Sequence, residues 1–437
     1  MSNWNIEKLK GKINIKHGFP FKSEFFSEKE TDYIVLTPGN FFEKGGFKRQ
    51  AGKDKYYSGE IPEGYLHERG DLIVAMTEQT PGLLGSCARI PKSGIYLHNQ
   101  RLGLITTDPK YLLKDYIYHL FRTNIVREQI RLTSSGSKVK HTSPDRIYDV
   151  KVPLPSVKEQ QKIIDFFNLI EEKIDLNLRI NTELETMAQM LYEYWFVQFD
   201  FPDANGKPYK SSGGKMIYNS TLKQDIPAGW NVDHLSSWIE SNKTGDWGKE
   251  IKEGNYTLQV NCIRGTDING LKGNGNVSPP NRYILKKNQH KILAVFDFII
   301  EISGGSPTQS TGRMAFITEE TLKYFDYPII CSNFCKAISL KNNDYFYNFA
   351  YLWDDIYTNG LLFGWEGKTS GIKNLLFDSF VSKFYTCIPP KNLAKNFYNF
   401  VKPLQHKKQQ ILIENKKLEE IRDWLLPMLM NGQVTIK

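Results

Sequence analysis

No stretch of the chain approaches the roughly 20 uninterrupted apolar residues that cross a bilayer, and the opening MSNWNIEKLKGKINIKHG lacks the apolar core of a secretory signal. A cytoplasmic protein is therefore expected. Cysteine is scarce: Cys87, Cys262, Cys331, Cys335 and Cys387 are an odd, scattered set, as expected of reduced thiols rather than a disulfide framework. Cys331 and Cys335 stand four apart, but no second close Cys/His pair completes the four ligands of a structural zinc.

Catalytic signatures are missing as well. SGGSPTQSTGR (303–313) lacks the Gly-Lys-Ser/Thr ending that places a lysine on a phosphate. VSPPNR (277–282) has Asn281 where an amino-methyltransferase needs an aromatic face for a flipped base. Neither SPDR nor FPDAN is followed by a Glu-x-Lys pair on a strand, and the 8 histidines are dispersed. These segments read as turns and polar loops. Triads assembled only in space leave no such signature, so a self-contained DNA methyltransferase or nuclease stays open as the alternative, and a protein-holding scaffold as a third reading.

What the chain does have is ample material for packed cores, with 40% hydrophobic and 13% aromatic residues in 437, and a net charge of +9 that favours a polyanionic partner. It also repeats itself. WNIEKL at Trp4 returns as WNVDHL at Trp230, a shift of 226. GDLIVAMTEQTPGLLGSCARI (70–90) parallels FDFIIEISGGSPTQSTGRMAFI (296–317), with Asp71 and Asp297 again 226 apart. Asn99 and Asn333 are 234 apart in LHNQRLGLIT and CSNFCKAISL, and Val152–Pro153 matches Ile388–Pro389 at 236. Landmarks kept in order with a slowly growing shift imply two copies of one domain.

Each copy ends in a long helical period. From Ser156 to Phe196 there is no Pro or Gly, and Ile163, Phe167, Ile170, Ile174, Asn177, Asn181, Leu184, Ala188, Leu191 and Trp195 alternate steps of four and three. That is the seam of a coiled coil. Residues 234 further on repeat it: Phe397, Val401, Leu404, Lys408, Ile411, Asn415, Leu418, Arg422, Leu425 and Leu429. Roughly 40 residues at about 1.5 Å each make a rod of about 60 Å. Pro153, Pro155, Pro389 and Pro390 end the preceding domains, and Pro403 should kink or delay the second rod. Residues 201–229, rich in Gly, Pro, Ser and Asn, read as an exposed linker.

The expected fold is α/β (α+β): two similar domains with curved sheets, separated by two long antiparallel coiled-coil-like helices in an internal pseudo-two-fold repeat. The boundaries are recognition domain 1 at 1–153, spacer helix at 154–200, linker at 201–229, recognition domain 2 at 230–388 and C-terminal helix at 389–437. Within the domains, single helical stretches are expected over KDYIYHLFRTNIVREQI and DYFYNFAYLWDDIYTN. Two diverged basic domains held apart suit a reader of two half-sites on DNA. Polar loops at equivalent places supply the candidate contacts: Thr77, Gln79, Thr80, Gln100, Arg101, Lys138, Lys140 and His141 in the first copy. In the second they are Ser306, Thr308, Gln309, Arg313, Asn333, Lys368, Thr369 and Lys373. Lysines suit phosphates, while Gln100, Arg101, Asn333 and Arg313 suit base edges.

The order of domain, VPLPSVKEQQKI with its long helix, FVQFDFPDANGKPYKSSGGKM, second domain, IPP and second helix resembles the specificity subunit of type I restriction-modification systems, over essentially the whole chain. LPSVKEQQKI and FPDANGKPYKSSGGKM are the most specific pieces. The resemblance implies a non-catalytic subunit whose two target-recognition domains each read half of a bipartite site. It implies helices that form a spacer and dock two methyltransferase (modification) subunits, with restriction subunits joining. Adenosylmethionine, ATP and Mg would belong to those partners, with no cofactor in this chain. The spacer and docking candidates are Glu159, Ile163, Ile170, Ile174, Asn181, Leu184 and Leu191, then Leu404, Ile411, Asn415, Leu418 and Leu425. The second helix lacks the Glu-Gln-x-x-Ile run found at Glu159–Ile163.

Overall fold

The computed structural model describes residues 4–50, 52–78, 81–305, 308–369 and 371–436, without the side chains of 368 and 369. It divides into two units. Unit 1 is Met1–Lys173 with Lys417–Lys437, and unit 2 is Ile174–Lys416, so each unit holds part of both long helices. No helix among the described residues is long and apolar enough to cross a membrane.

In unit 1 the central antiparallel sheet runs in the order Ile13–His17, Leu102–Thr107, Leu72–Ala75, Cys87–Arg89. Runs such as LIVA at 72–75 are apolar on both faces, and all four residues are buried because helices pack on Leu72 and Val74 while a second sheet, with Tyr33–Leu36 and Tyr96–His98, packs on Ile73 and Ala75. In unit 2 the order is Ile239–Thr244, Cys335–Leu340, Phe298–Glu301, Met314–Phe316, the same topology. Each unit also has a two-stranded closure, Asn5–Lys8 with Lys151–Leu154 and Asn231–His234 with Tyr385–Ile388. The duplication read from the sequence is thus repeated in the central sheet and in its two-stranded closure.

The strand registers correct two of the shifts. Gly103 faces Val74 in unit 1 and Lys336 faces Ile300 in unit 2, so 226 on one strand goes with 233 on the other. Asn99 therefore corresponds to Ser332, and Gln100 to Asn333. Pro153 faces Ile6 as Cys387 faces Val232, which makes that shift 234 rather than 236. Sequence similarity slips by a residue or two where the side chains have diverged, whereas the register of a buried strand cannot slip without turning its apolar face to water.

The first long helix is Val157–Tyr192, followed by a wider turn at Glu193–Val197. Ser156 starts it with a capping box: Glu159 Oε2 accepts from the Ser156 amide at 3.1 Å and hydroxyl at 2.9 Å, and Ser156 Oγ accepts from the Glu159 amide at 3.3 Å. Gln160, fully buried, accepts from the Leu113 amide and donates to the carbonyls of Tyr111 and Pro155, which pins the helix start to unit 1. At the corresponding positions, 234 on, stand Leu393 and Ala394.

The second long helix is Lys391–Met430 and runs unbroken through Pro403. The expected delay does not occur, and Pro403 and Asn399, whose carbonyl loses its partner, both lie on the exposed face. Every seam position read from the periodicity is buried or half-buried. In unit 1, Ile163 and Phe167 pack in one core with Leu426 and Leu429. In unit 2, Asn177 donates to Asn415 at 2.7 Å, Glu185 meets Lys408, and Trp195 lies 5.9 Å from the Phe397 ring, so the segments there run antiparallel.

Two further expectations are corrected. The first copy's helical stretch is two helices, Lys114–Leu120 and Asn124–Leu132, broken where Thr123 turns the chain back with its hydroxyl on the Leu120 carbonyl at 2.6 Å. The second copy has one, Phe346–Thr358. Residues 201–229 are not a plain linker: they carry a hairpin, Met216–Asn219 with Gln224–Pro227, and Phe201 stacks between Tyr209 and Trp230.

Asn181 is 4% exposed in the seam, and neither of its amide atoms meets a hydrogen-bond partner. A buried carboxamide without partners costs its desolvation. Asn181→Leu is expected to raise stability by about 1–2 kcal/mol, read as a higher urea midpoint at unchanged slope. A lower midpoint would mean that Asn181 is needed where it stands.

Candidate nucleic-acid interface

Three loops of unit 1 that are far apart in sequence meet through main-chain bonds. The Met76 amide donates to the Arg101 carbonyl at 2.9 Å, and the Thr142 amide to the Met76 carbonyl at 2.9 Å. Unit 2 repeats both bonds at the corresponding residues, Ile302 to Phe334 at 2.8 Å and Leu375 to Ile302 at 2.9 Å. The short ladder that follows repeats too: Lys140 faces Glu78 and His141 faces Thr77, as Lys373 faces Gly304 and Asn374 faces Ser303. Each unit therefore gathers its candidate loops, 76–82 with 99–101 and 135–143, and 303–313 with 332–334 and 366–374, at one junction.

Glycine makes the middle loop of each junction fit. A Cβ added at Gly18 would stand 1.8 Å from the Asn99 carbonyl oxygen, and one at Gly245 would stand 1.9 Å from that of Ser332. Only a residue without a side chain lets the strand pass so close beneath the loop. The loop tips Gln100, Arg101, Asn333 and Phe334 are all exposed.

The floors of the two junctions differ. In unit 1 buried Glu78 accepts from the amides of Gly82, Leu83 and Leu84 at 3.0, 2.9 and 2.8 Å, folding that loop over its own carboxylate. In unit 2 Arg313 forks onto Glu301, Nε to Oε2 at 2.9 Å and Nη2 to Oε1 at 2.6 Å. The Glu301 bonds hold the guanidinium pKa above its ordinary value. Glu366, with 4% of its side chain exposed, accepts from the Thr311 amide and hydroxyl and pairs with Lys373 at 3.2 Å.

The sequence candidates thus fall into distinct places. Gln100, Arg101, Lys138 and His141 are exposed at the unit 1 junction, with Thr77 and Lys140 half-buried beside them. In unit 2, Thr308, Gln309 and Asn333 are exposed, while Arg313 and Lys373 are tied to carboxylates. Gln79, Thr80 and Ser306 lie outside the described residues, as do the side chains of Lys368 and Thr369.

A cavity of about 740 Å³ opens at the unit 2 junction, lined by Arg313, Asn333 and Glu301 together with Trp247, Arg264 and Phe334. Sequence reasoning passed over Trp247 and Arg264, while Phe334 lay in the candidate loop 332–334 without being singled out. Trp247 lies under the guanidinium of Arg282 at 4.2 Å, and Arg264 forks onto buried Asp267 at 2.9 and 3.1 Å. The only local signal was an exposed-type aromatic beside glycine in TGDWGKE.

Burial pushes the Cys262 and Cys331 thiols up to about 12, away from nucleophilic use. Among the described residues no group of three or more His, Cys, Asp or Glu side chains could hold a metal ion.

Comparison with known proteins agrees with this geometry. Residues 1–186 match the family described as type I restriction modification DNA specificity domain. The type I restriction enzyme MjaIX specificity subunit of Methanocaldococcus jannaschii is 24% identical over 343 residues, covering 75% of this chain and 70% of that protein. The HindI specificity subunit of Haemophilus influenzae is 24% identical over 388 residues, covering 78% and 81%. In fold, the chain is similar to the crystal structure of a type I restriction-modification S subunit from M. genitalium, with a TM-score of 0.54 and 14% identity over 98% of this chain and 96% of that one.

Proposed function

Since this chain belongs to the type I restriction-modification DNA specificity subunits, we propose that its two recognition units each read one half of a bipartite, asymmetric DNA site. The chain itself is not catalytic. One observation carries the reading: the three-loop junction is built twice with the same main-chain bonds, yet with different side chains on it. Equal scaffolds give each unit the same way of meeting a duplex, and unequal side chains give each its own bases.

The paired long helices act in this reading as the spacer and as the docking surface for two methyltransferase subunits. Ile170, Ile174, Leu184, Leu191, Leu404, Ile411, Leu418 and Leu425 hold the seam, which supports the spacer role. Glu159 and Gln160 are engaged within unit 1, so they set the entry of the helix rather than reach outward. Adenosylmethionine, ATP and Mg act on the partner subunits, and restriction subunits complete the assembly.

Selection of bound duplexes from a random pool tests this. The expected result is two unlike short motifs at a fixed gap. Removing one heptad from both long helices keeps the seam in phase and shortens them by about 10 Å, so the gap should contract by about three base pairs. A single continuous motif, or an unchanged gap, would overturn the proposal.

A further inference from the structure

The two junctions carry many unlike side chains, but their middle loops share one chemistry. Gln100 and Asn333 correspond through the strand registers, and both carry a primary carboxamide at the exposed tip of the middle loop. The loop is the one braced from beneath by Gly18 in unit 1 and by Gly245 in unit 2. In both units its main chain is fixed by the amide of residue 76 or 302, which donates to the next residue's carbonyl. Among the described residues neither carboxamide is engaged in a hydrogen bond.

A carboxamide presents one donor and one acceptor side by side, the complement of N7 and N6 on the major-groove edge of adenine. Arginine complements guanine in the same way, yet the two guanidinium groups that line the cavity with Asn333, Arg264 and Arg313, are committed to Asp267 and Glu301. The neighbouring tip residue diverges, Arg101 in unit 1 against Phe334 in unit 2, the latter 52% exposed. Arginine suits guanine, and an aromatic edge suits the thymine methyl group.

We propose that Gln100 and Asn333 are equivalent specificity residues, each reading an adenine in its own half-site. The residues beside them, Arg101 and Phe334, make the adjoining base differ. This rests on the bipartite reading above and names the base that reading leaves open.

The test is random-pool selection with the full chain bound to its methyltransferase subunits, comparing wild type with Gln100→Glu and Asn333→Asp. Both substitutions keep the size of an exposed side chain and replace its donor by an acceptor, which repels adenine N7 and suits the cytosine amino group. Each variant should lose its preference for adenine at one position of one half-site by about tenfold or more, gain cytosine there, and leave the other half-site unchanged. Uniform weakening without a change of motif would mean that these residues meet only the backbone, and would overturn the proposal while leaving the bipartite reading intact. An unchanged motif would overturn it as well. A wild-type complex that selects no two-part motif would overturn both.

Discussion

Lowering the pH from 7 to 5 is expected to destabilise unit 1 strongly and unit 2 hardly at all through histidine. Of the 8 histidines, three are buried, and all three are in unit 1: His67 at 1% exposure, His98 and His119 at 0%. His67 Nε2 meets His98 Nδ1 at 2.9 Å, and His67 Nδ1 meets Asp71 at 3.2 Å. Burial pushes the His98 pKa down to about 3, with the neighbouring His67 adding to the effect and the Lys16 carbonyl opposing it. Burial also lowers His67, against the pull of Asp71, and holds His119 well below its ordinary value, helped by Arg89, Arg122 and Arg422.

A folded-state pKa below the unfolded one means that, as pH falls through about 6.5, the unfolded chain binds protons the folded chain refuses. The stability is therefore complete above that pH and is lost as pH falls. At pH 5 His98 alone should contribute a loss of about 2 kcal/mol, with His67 and His119 acting in the same direction. Hydrogen-exchange protection, corrected for intrinsic rates, should fall first in the strands Leu72–Ala75 and Leu102–Thr107 and in the helix Lys114–Leu120. In the double variant His67→Gln with His98→Asn the slope of stability on pH should flatten. A slope unchanged in that variant would place the acid sensitivity elsewhere.

How much of this was legible beforehand follows from the range of each interaction. The seam was legible because its signal is local: a residue every three or four positions declares one face of a helix whatever the rest of the chain does, and each of those positions is indeed shielded. Duplication was legible from order alone, but not its register, since Asn99 and Asn333 attract one another in an alignment while the strand pairing puts Ser332 at the position of Asn99. The candidate loops were chosen one by one, and their convergence depends on bonds such as that from Met76 to Arg101, set by strands distant in sequence. The fate of individual cations was hidden for the same reason. Arg313 and Lys373 look alike from the sequence as free bases, and each is claimed by a carboxylate, Glu301 and Glu366, brought opposite by sheet pairing. The His67–His98 pair spans 31 residues and joins only when Tyr96–His98 has paired with Tyr33–Leu36 and the Tyr96 carbonyl has received the His67 amide.

Replacing Lys408 by methionine is expected to destabilise unit 2 by about 3 kcal/mol, the second large effect. Lys408 is 3% exposed at a seam position that an ordinary two-stranded coil would fill with leucine. Its ammonium pairs with Glu185, and Gln405 donates to the same carboxylate at 2.9 Å and to the Tyr351 hydroxyl at 2.6 Å. Burial raises the Glu185 pKa, but Lys408 and Gln405 together bring it below its ordinary value, so the carboxylate is ionised in the fold. Without Lys408 that charge stays where it is with its largest compensation gone, whereas methionine fills the space of the lysine stem and adds no cavity of note. Glu185→Gln should also destabilise, since it strands the ammonium instead. The double variant should recover much of the loss, because a methionine facing a neutral carboxamide leaves no buried charge. Denaturant midpoints of the four chains close the cycle, and additive losses would show that the pair is not coupled. Tyr351 belongs to the helix Phe346–Thr358, which packs on the unit 2 sheet through Phe349 against Phe298. The network therefore joins the long-helix segments of unit 2 to its recognition body. A chain weakened there should lose selectivity for its half-site before it loses affinity for DNA, because phosphate contacts tolerate a loosened body and base contacts do not.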